Sequence, residues 1–191
     1  MGLYELRDSN LPTIPWNKFQ KDTSLDADHL WTIRSAVFRG NDLNLPRLVG
    51  KRADVATAFA LKLQDRLGDN GMVIYYPYFK AEKSGTLDVY LDHYIIEAVE
   101  ADLWNLVTES KCNVTIKGTE NSQDIIGEEN FLNQEELKLI TKYIGTIRKM
   151  FRDELLEGKS VLLEWSLAYD CDINEKPVGE RYLVFYEVRT V

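Results

Sequence analysis

Residues 160–191 read SVLLEWSLAYDCDINEKPVGERYLVFYEVRTV, and this run decides the fold. Two stretches rich in Val, Leu, Tyr and Trp flank a polar segment with Asn, Pro and Gly at turn spacing, so the run reads as a long β-hairpin closing the domain. Side chains alternate along a strand, which puts Leu162, Glu164 and Ser166 on one face and Leu163, Trp165 and Leu167 on the other. On the partner strand Tyr182, Val184, Tyr186 and Val188 share a face, and Leu183, Phe185, Glu187 and Arg189 share the opposite one. Closed in register, the hairpin sets Glu164, Glu187 and Arg189 on a common face. Two carboxylates beside a guanidinium suit a divalent cation and an anionic oxygen together. An edge hairpin with a charged solvent face accounts for the same pattern.

The 191 residues, 45% apolar with four Trp, form a core without help from disulfides or structural metal, and are expected to make a single domain, 1–191, preceded by an N-terminal arm over 1–28. Acids outnumber bases 31 to 23, for a formal charge of −8. No basic tract is present to release counterions, so sequence-independent nucleic-acid binding is excluded, whereas an anionic ligand held by a few local Arg and Lys is not. Cys112 and Cys171 stand far apart and in no metal-ligand spacing, which implies reduced thiols. The opening MGLYELRDSN has neither a basic n-region nor an apolar h-region, and no apolar run approaches membrane-spanning length, so a cytoplasmic protein without membrane partners is expected.

Working back from the hairpin, a helix is expected over 134–157. Asn133 and Glu136 form a capping box, Leu132 and Leu137 a hydrophobic staple, and Leu137, Ile140, Ile144, Ile147, Phe151 and Leu155 a buried stripe ended by Gly158. CNVTIK and the start of HYIIEAVEADLWNLV read as strands. In GMVIYYPYFKAEKSGTLDVY two strands flank a connection holding Lys80, Lys83, Ser84 and Gly85, and Pro77 interrupts the first strand or sets it on an edge. A helix spans 53–67 with Val55, Phe59, Leu63 and Leu67 as its stripe and Gly68 at its end. LWTIRSAVF is a strand carrying Arg34, an arginine in an apolar setting that needs either a carboxylate or a phosphate. RGNDLNLPRLVGKR then reads as a loop whose Arg39, Arg47, Lys51 and Arg52 could face phosphate. In the arm, Trp16 and Phe19 supply the packing; His29 and His93 sit in no metal or triad spacing.

Together these motifs resemble the nucleotide-binding, ATP-grasp-type domain of phosphoenolpyruvate synthase, pyruvate phosphate dikinase and related antibiotic phosphotransferases. WTIRSAV is similar to that family's Arg-Ser-Ser-Ala strand, GMVIYYPYFKAEKSGTL to its central segment, YIIEAV to the strand before its glycine-rich loop, and LLEWSL with LVFYEVRTV to its closing Asp-Ile-Glu-Trp and Gln-x-Arg-Pro strands. The resemblance implies an α+β, ATP-grasp-like fold, with a largely antiparallel sheet, packed helices and the C-terminal hairpin. It implies Mg2+ and ATP as cofactors, and a partner protein that supplies a phosphohistidine or acceptor domain. By position it implies Arg34 and Arg189 as catalytic phosphate ligands, Glu164 and Glu187 as metal ligands, and Tyr76, Tyr78, Lys80 and Lys83 beside the nucleotide. The chain departs from the family at Leu162, Glu187 and Thr190, where the family has Asp, Gln and Pro. EADLWNLV replaces the glycine-rich loop and no Gly-Lys-Gly motif occurs. Two functions follow: a dikinase-like phosphotransferase component, or a non-catalytic regulatory or binding module on a degenerate ATP-grasp scaffold.

Overall fold

The computed structural model describes residues 2–38, 45–103, 112–119 and 121–191. The described residues form two compact units, each α+β and each built on antiparallel pairing. One holds residues 14–80 and 169–180, the other residues 2–13, 81–168 and 181–191. Two sheets therefore replace the single sheet that the sequence suggests. Among the described residues no helix is long and apolar enough to cross a membrane.

The first unit carries a four-stranded sheet in the order β1-β4-β2-β3, made of β1 (Asn17–Lys18), β2 (Leu30–Val37), β3 (Arg47–Arg52) and β4 (Gly71–Pro77). β2 lies between β4 and β3, and Leu30 to Ile33 are all buried, as a central strand covered on both faces requires. β4 ends at Pro77, which cannot donate to the ladder. The expected loop over 39–52 is corrected in its second half, where Arg47–Arg52 pairs with β2; Arg39 lies outside the described residues. Helix α2 (Ala53–Leu67) has the expected span, following the short α1 (Gly2–Arg7) of the other unit. Its buried positions are Ala56, Ala60 and Leu63, packed on Phe19, Trp31, Ile33 and Val73, while Val55 is 48% exposed. Of the expected stripe, Leu63 is buried and Phe59 and Leu67 pack against this cluster, so only Val55 is corrected. Small alanines at 56 and 60 let the helix approach the aromatic side chains closely, and Val55 falls outside that contact.

In the second unit the six-stranded sheet runs β10-β9-β5-β6-β7-β8, from β5 (Phe79–Val89), β6 (Tyr94–Glu100), β7 (Val114–Gly118), β8 (Gln123–Gly127), β9 (Val161–Cys171) and β10 (Pro177–Thr190). Lys80 to Gly85 lie inside β5 rather than in a connection, and Tyr78 alone separates β4 from β5. Leu163, Trp165 and Leu167 are fully buried, as the alternation predicts. Ser160 and Val191 exchange both backbone hydrogen bonds at 3.0 Å and close the hairpin. Leu183, Phe185 and Val188 all join one buried cluster, so the expected two-residue rhythm breaks near the end of β10. There the N-terminal segment packs along the strand. Phe185 N–H donates to Pro12 O at 2.8 Å, and a side chain at Gly2 would collide with Val188 O.

The expected helix 134–157 is three short ones, α3 (Gln134–Thr141), α4 (Ile144–Met150) and α5 (Arg152–Leu156). Thr141 Oγ1 donates to Leu137 O at 2.9 Å, a side-chain bond that competes with helix continuation, and Phe151 leaves the helical region at φ −111°, ψ 36°. The stripe survives the breaks: Ile140, Ile144, Ile147, Phe151 and Leu155 stay buried with Leu87, Ile96, Ile116 and Leu163. Gly158 ends the run at φ 84°, with Lys159 N–H returning to Glu154 O at 3.1 Å.

Candidate functional site: a cationic sheet face

The register of β2 against β3 sets Arg34 opposite Arg47 and Leu30 opposite Arg52, with Ile33 opposite Leu48 and Trp31 opposite Lys51. Between Ile33 and Trp31 one residue of β2, Thr32, therefore faces two of β3, Val49 and Gly50. Gly50 has φ +62°, the left-handed conformation that glycine adopts without strain, so this is a β-bulge. Its consequence is a change of phase. In an unbroken strand positions 47 and 52 would point to opposite faces; the extra residue brings both onto the face of Leu30, Thr32 and Arg34.

The pairing of β2 with β4 adds Tyr76, opposite Thr32, and Ile74, opposite Arg34, to that face. Trp31, Ile33, Val73 and Tyr75 lie on the other one, under α2. Arg34, Arg47, Arg52 and Tyr76 thus share the side of the first unit's sheet that α2 does not cover. On this face Leu30, Thr32, Ile74 and Tyr76 are buried and Arg34 is partly buried, while Arg47 and Arg52 are exposed; Tyr76 stacks on Phe79 with ring centroids 6.4 Å apart. The Tyr78 ring rests on the bulge, about 3.4 Å from where a Cβ of Gly50 would stand. Tyr78 N–H donates to Leu30 O at 2.8 Å, and its carbonyl accepts the Cys171 thiol at 3.7 Å. Burial, aided by the nearby acids Glu175, Asp172 and Asp170, raises that thiol's pKa and keeps it protonated. Lys80 is exposed and donates to Glu175 O at 3.3 Å.

In the second unit, the hairpin brings together Glu164 and Arg189, with Arg189 Nη2 donating to Glu164 Oε1 at 2.7 Å. Glu164 is mostly buried and Arg189 half exposed, whereas Glu187 lies partly buried on β10. Among the described residues no group of three or more His, Cys, Asp and Glu side chains could hold a metal ion. Glu164 and Glu187 are the hard oxygen donors magnesium takes, and magnesium on phosphates needs only one or two protein carboxylates.

Lys83 has a different environment from the one the resemblance implies. Its ammonium donates to Phe131 O at 2.6 Å and to Glu136 Oε1 and Oε2 at 3.0 and 2.8 Å. Glu136, 2% exposed, accepts the Asn133 N–H at 2.9 Å, completing the expected capping box, and takes Arg181 Nη1 at 2.7 Å. Arg181 also binds Glu82. Burial pushes the Glu136 carboxyl up, but the bonds from Lys83 and Asn133 and the charges of Lys83 and Arg181 prevail and hold it below the usual glutamate value. In the sequence Glu136 is marked only as a capping residue. The alternation of β5, which sets Lys83 apart from Glu82, was the one signal that a charge here turns inward.

No family model matches the chain, and no curated protein matches it.

Proposed function

We propose that the protein is a magnesium-ATP-binding module whose phosphate-recognising surface is the Arg34, Arg47 and Arg52 face of the first unit. The observation that carries this reading is the Gly50 bulge, which gathers onto one face three guanidiniums that strand periodicity alone would divide. Guanidiniums presented from paired strands suit the fork geometry of phosphate oxygens, and the partly exposed Tyr78 adds aromatic surface nearby, with Tyr76 buried. When bound, magnesium would neutralise phosphate charge. The resemblance assigns magnesium to Glu164 and Glu187 and a phosphate to Arg189, whose guanidinium donates to Glu164; these residues belong to the second unit, and the phosphate-recognising surface proposed here rests on the first unit's arginines alone. Lys80 remains an exposed cation available to an anionic ligand.

Between the two functions the resemblance implies, one observation supports the non-catalytic module: the Lys83 ammonium, which the resemblance sets beside the nucleotide, donates to Phe131 O and to the Glu136 carboxylate. A thermal-shift titration with ATP, with and without magnesium, tests binding; a magnesium-dependent rise in melting temperature is expected. Phosphate release or transfer in the same samples separates a phosphotransferase from a module, and this reading expects none. An ATP titration that leaves the melting temperature unmoved contradicts the binding itself.

A further inference from the structure

A core row of the second unit ends on an exposed isoleucine. Leu87, Ile96, Ile116 and Ile125 stand in register across β5, β6, β7 and β8. The first three are essentially fully buried, whereas Ile125 is 41% exposed. Ile126, on the opposite face, is 61% exposed, and all five residues of β8 are exposed. Edge strands are ordinarily guarded by Lys, Pro or an inward charge; this one carries two adjacent isoleucines. Among the described residues β8 pairs only with β7.

The hydrogen-bond phase shows what the edge offers. Thr119 N–H donates to Ser122 O at 2.9 Å, and Glu128 N–H to Asn113 O at 2.8 Å. With the intervening register, antiparallel alternation turns the backbone groups of Ser122, Asp124, Ile126 and Glu128 toward β7 and those of Gln123, Ile125 and Gly127 outward. The acids here face polar residues of the same chain: Asp124 stands opposite Lys117 in the register, and just past the strand Glu128 Oε1 accepts Asn113 Nδ2 at 2.8 Å. What remains open is backbone pairing and isoleucine burial, the demand of another strand rather than of a basic ligand.

A second copy meets that demand in a register centred on Ile125. Two antiparallel copies of one edge are related by a two-fold axis normal to the sheet, which preserves faces, so only residues of equal parity oppose. Centring on Ile125 sets it against itself, with Asp124 opposite Ile126, Gln123 opposite Gly127 and Ser122 opposite Glu128. Centring on Ile126 instead sets Asp124 against Glu128, and centring on Asp124 sets it against itself; both oppose like charges. The Ile125 register alone avoids this among the three, and its central pair is formed by outward-pointing backbone groups. We propose that β8 is a self-complementary edge that pairs antiparallel with β8 of a second copy, Ile125 against Ile125, joining two six-stranded sheets into one.

One strand pair is a small interface, so the dimer is concentration-dependent. Sedimentation equilibrium on the full chain, over a roughly hundredfold range of concentration, reads it directly. The parent is expected to pass from monomer to dimer. Ile125→Lys and Ile125→Asp each place like charges across the two-fold and raise the dissociation constant at least about tenfold, with circular dichroism and melting unchanged. Mixing the two variants restores a dimer, because Lys then faces Asp. A parent monomeric throughout, a dimer that both variants retain, or a mixture that stays monomeric overturns the proposal.

Discussion

Arg34 and Arg47 stand directly opposite one another across β2 and β3, two like charges in register on the face that α2 leaves uncovered. Cross-strand like charges weaken an antiparallel pair unless counter-charges meet them. An anion bridging the two guanidiniums would turn the same geometry into a stabilising one. Reciprocity then follows: whatever binds there also strengthens the β2–β3 pairing.

Gly50→Ala should lower stability by about 1–2 kcal/mol, the penalty of the left-handed backbone for a residue with a Cβ. The Tyr78 ring, already about 3.4 Å from that position, leaves little slack. If the bulge straightens instead, Arg47 and Arg52 part to opposite faces. Urea unfolding measures the first effect and ATP affinity the second, and both are expected to fall.

The Lys83–Glu136 pair sets the second unit's response to substitution and to acid. Glu136→Gln keeps the shape but leaves the largely buried Lys83 without its counter-charge, at about 3 kcal/mol. Lys83→Met should cost less, about 1–2 kcal/mol, because Arg181 and the Asn133 N–H still hold the carboxylate. Urea midpoints of the two variants check the order.

Acid should act through the same carboxyl. The Glu136 pKa is held below its ordinary value of about 4.5 in the native chain, so on lowering the pH the unfolded chain takes up the proton first. The stabilisation is complete above the ordinary glutamate range and is lost as the pH falls through the native value. The parent's stability should therefore drop more steeply in acid than that of Glu136→Gln, as urea unfolding across pH would record.

Gly85→Ala should be among the most damaging single changes. A Cβ there would lie 2.0 Å from Glu97 O and 2.6 Å from the fully buried Trp165 ring, and strand backbone cannot give way by an ångström. A loss of about 2–3 kcal/mol, with a red shift of tryptophan emission, is expected.

Much of this architecture is legible in the sequence because the signals are local. The hairpin over 160–191, the span of α2 and the Asn133–Glu136 capping box each follow from periodicity and end residues within one short window. The bulge at Gly50 is less legible. RLVGKR carries turn-like residues, and only pairing with β2 reveals it as a strand with one extra residue. The break at Thr141 is hidden for a related reason: the apolar stripe continues through it, and the competing hydroxyl bond leaves no mark on spacing. β8 is not legible in the sequence because QDII shows neither alternation nor a full apolar run. Its partner strand, not its composition, makes it a strand. Of the site residues, Glu164 and Arg189 meet as hairpin alternation suggests, whereas Lys83 is drawn to Glu136, 53 residues away, by a pairing no window contains.

Titration calorimetry of magnesium-ATP into the parent and into Arg34→Gln tests the central claim most directly. Arg34 stands opposite Arg47 on the cationic face, and glutamine retains much of its length while removing its charge and its fork. The account predicts magnesium-dependent heat from the parent and an affinity reduced roughly tenfold or more in the variant, with both chains equally folded by circular dichroism. No heat from the folded parent at millimolar ATP, or equal binding by Arg34→Gln, would contradict it.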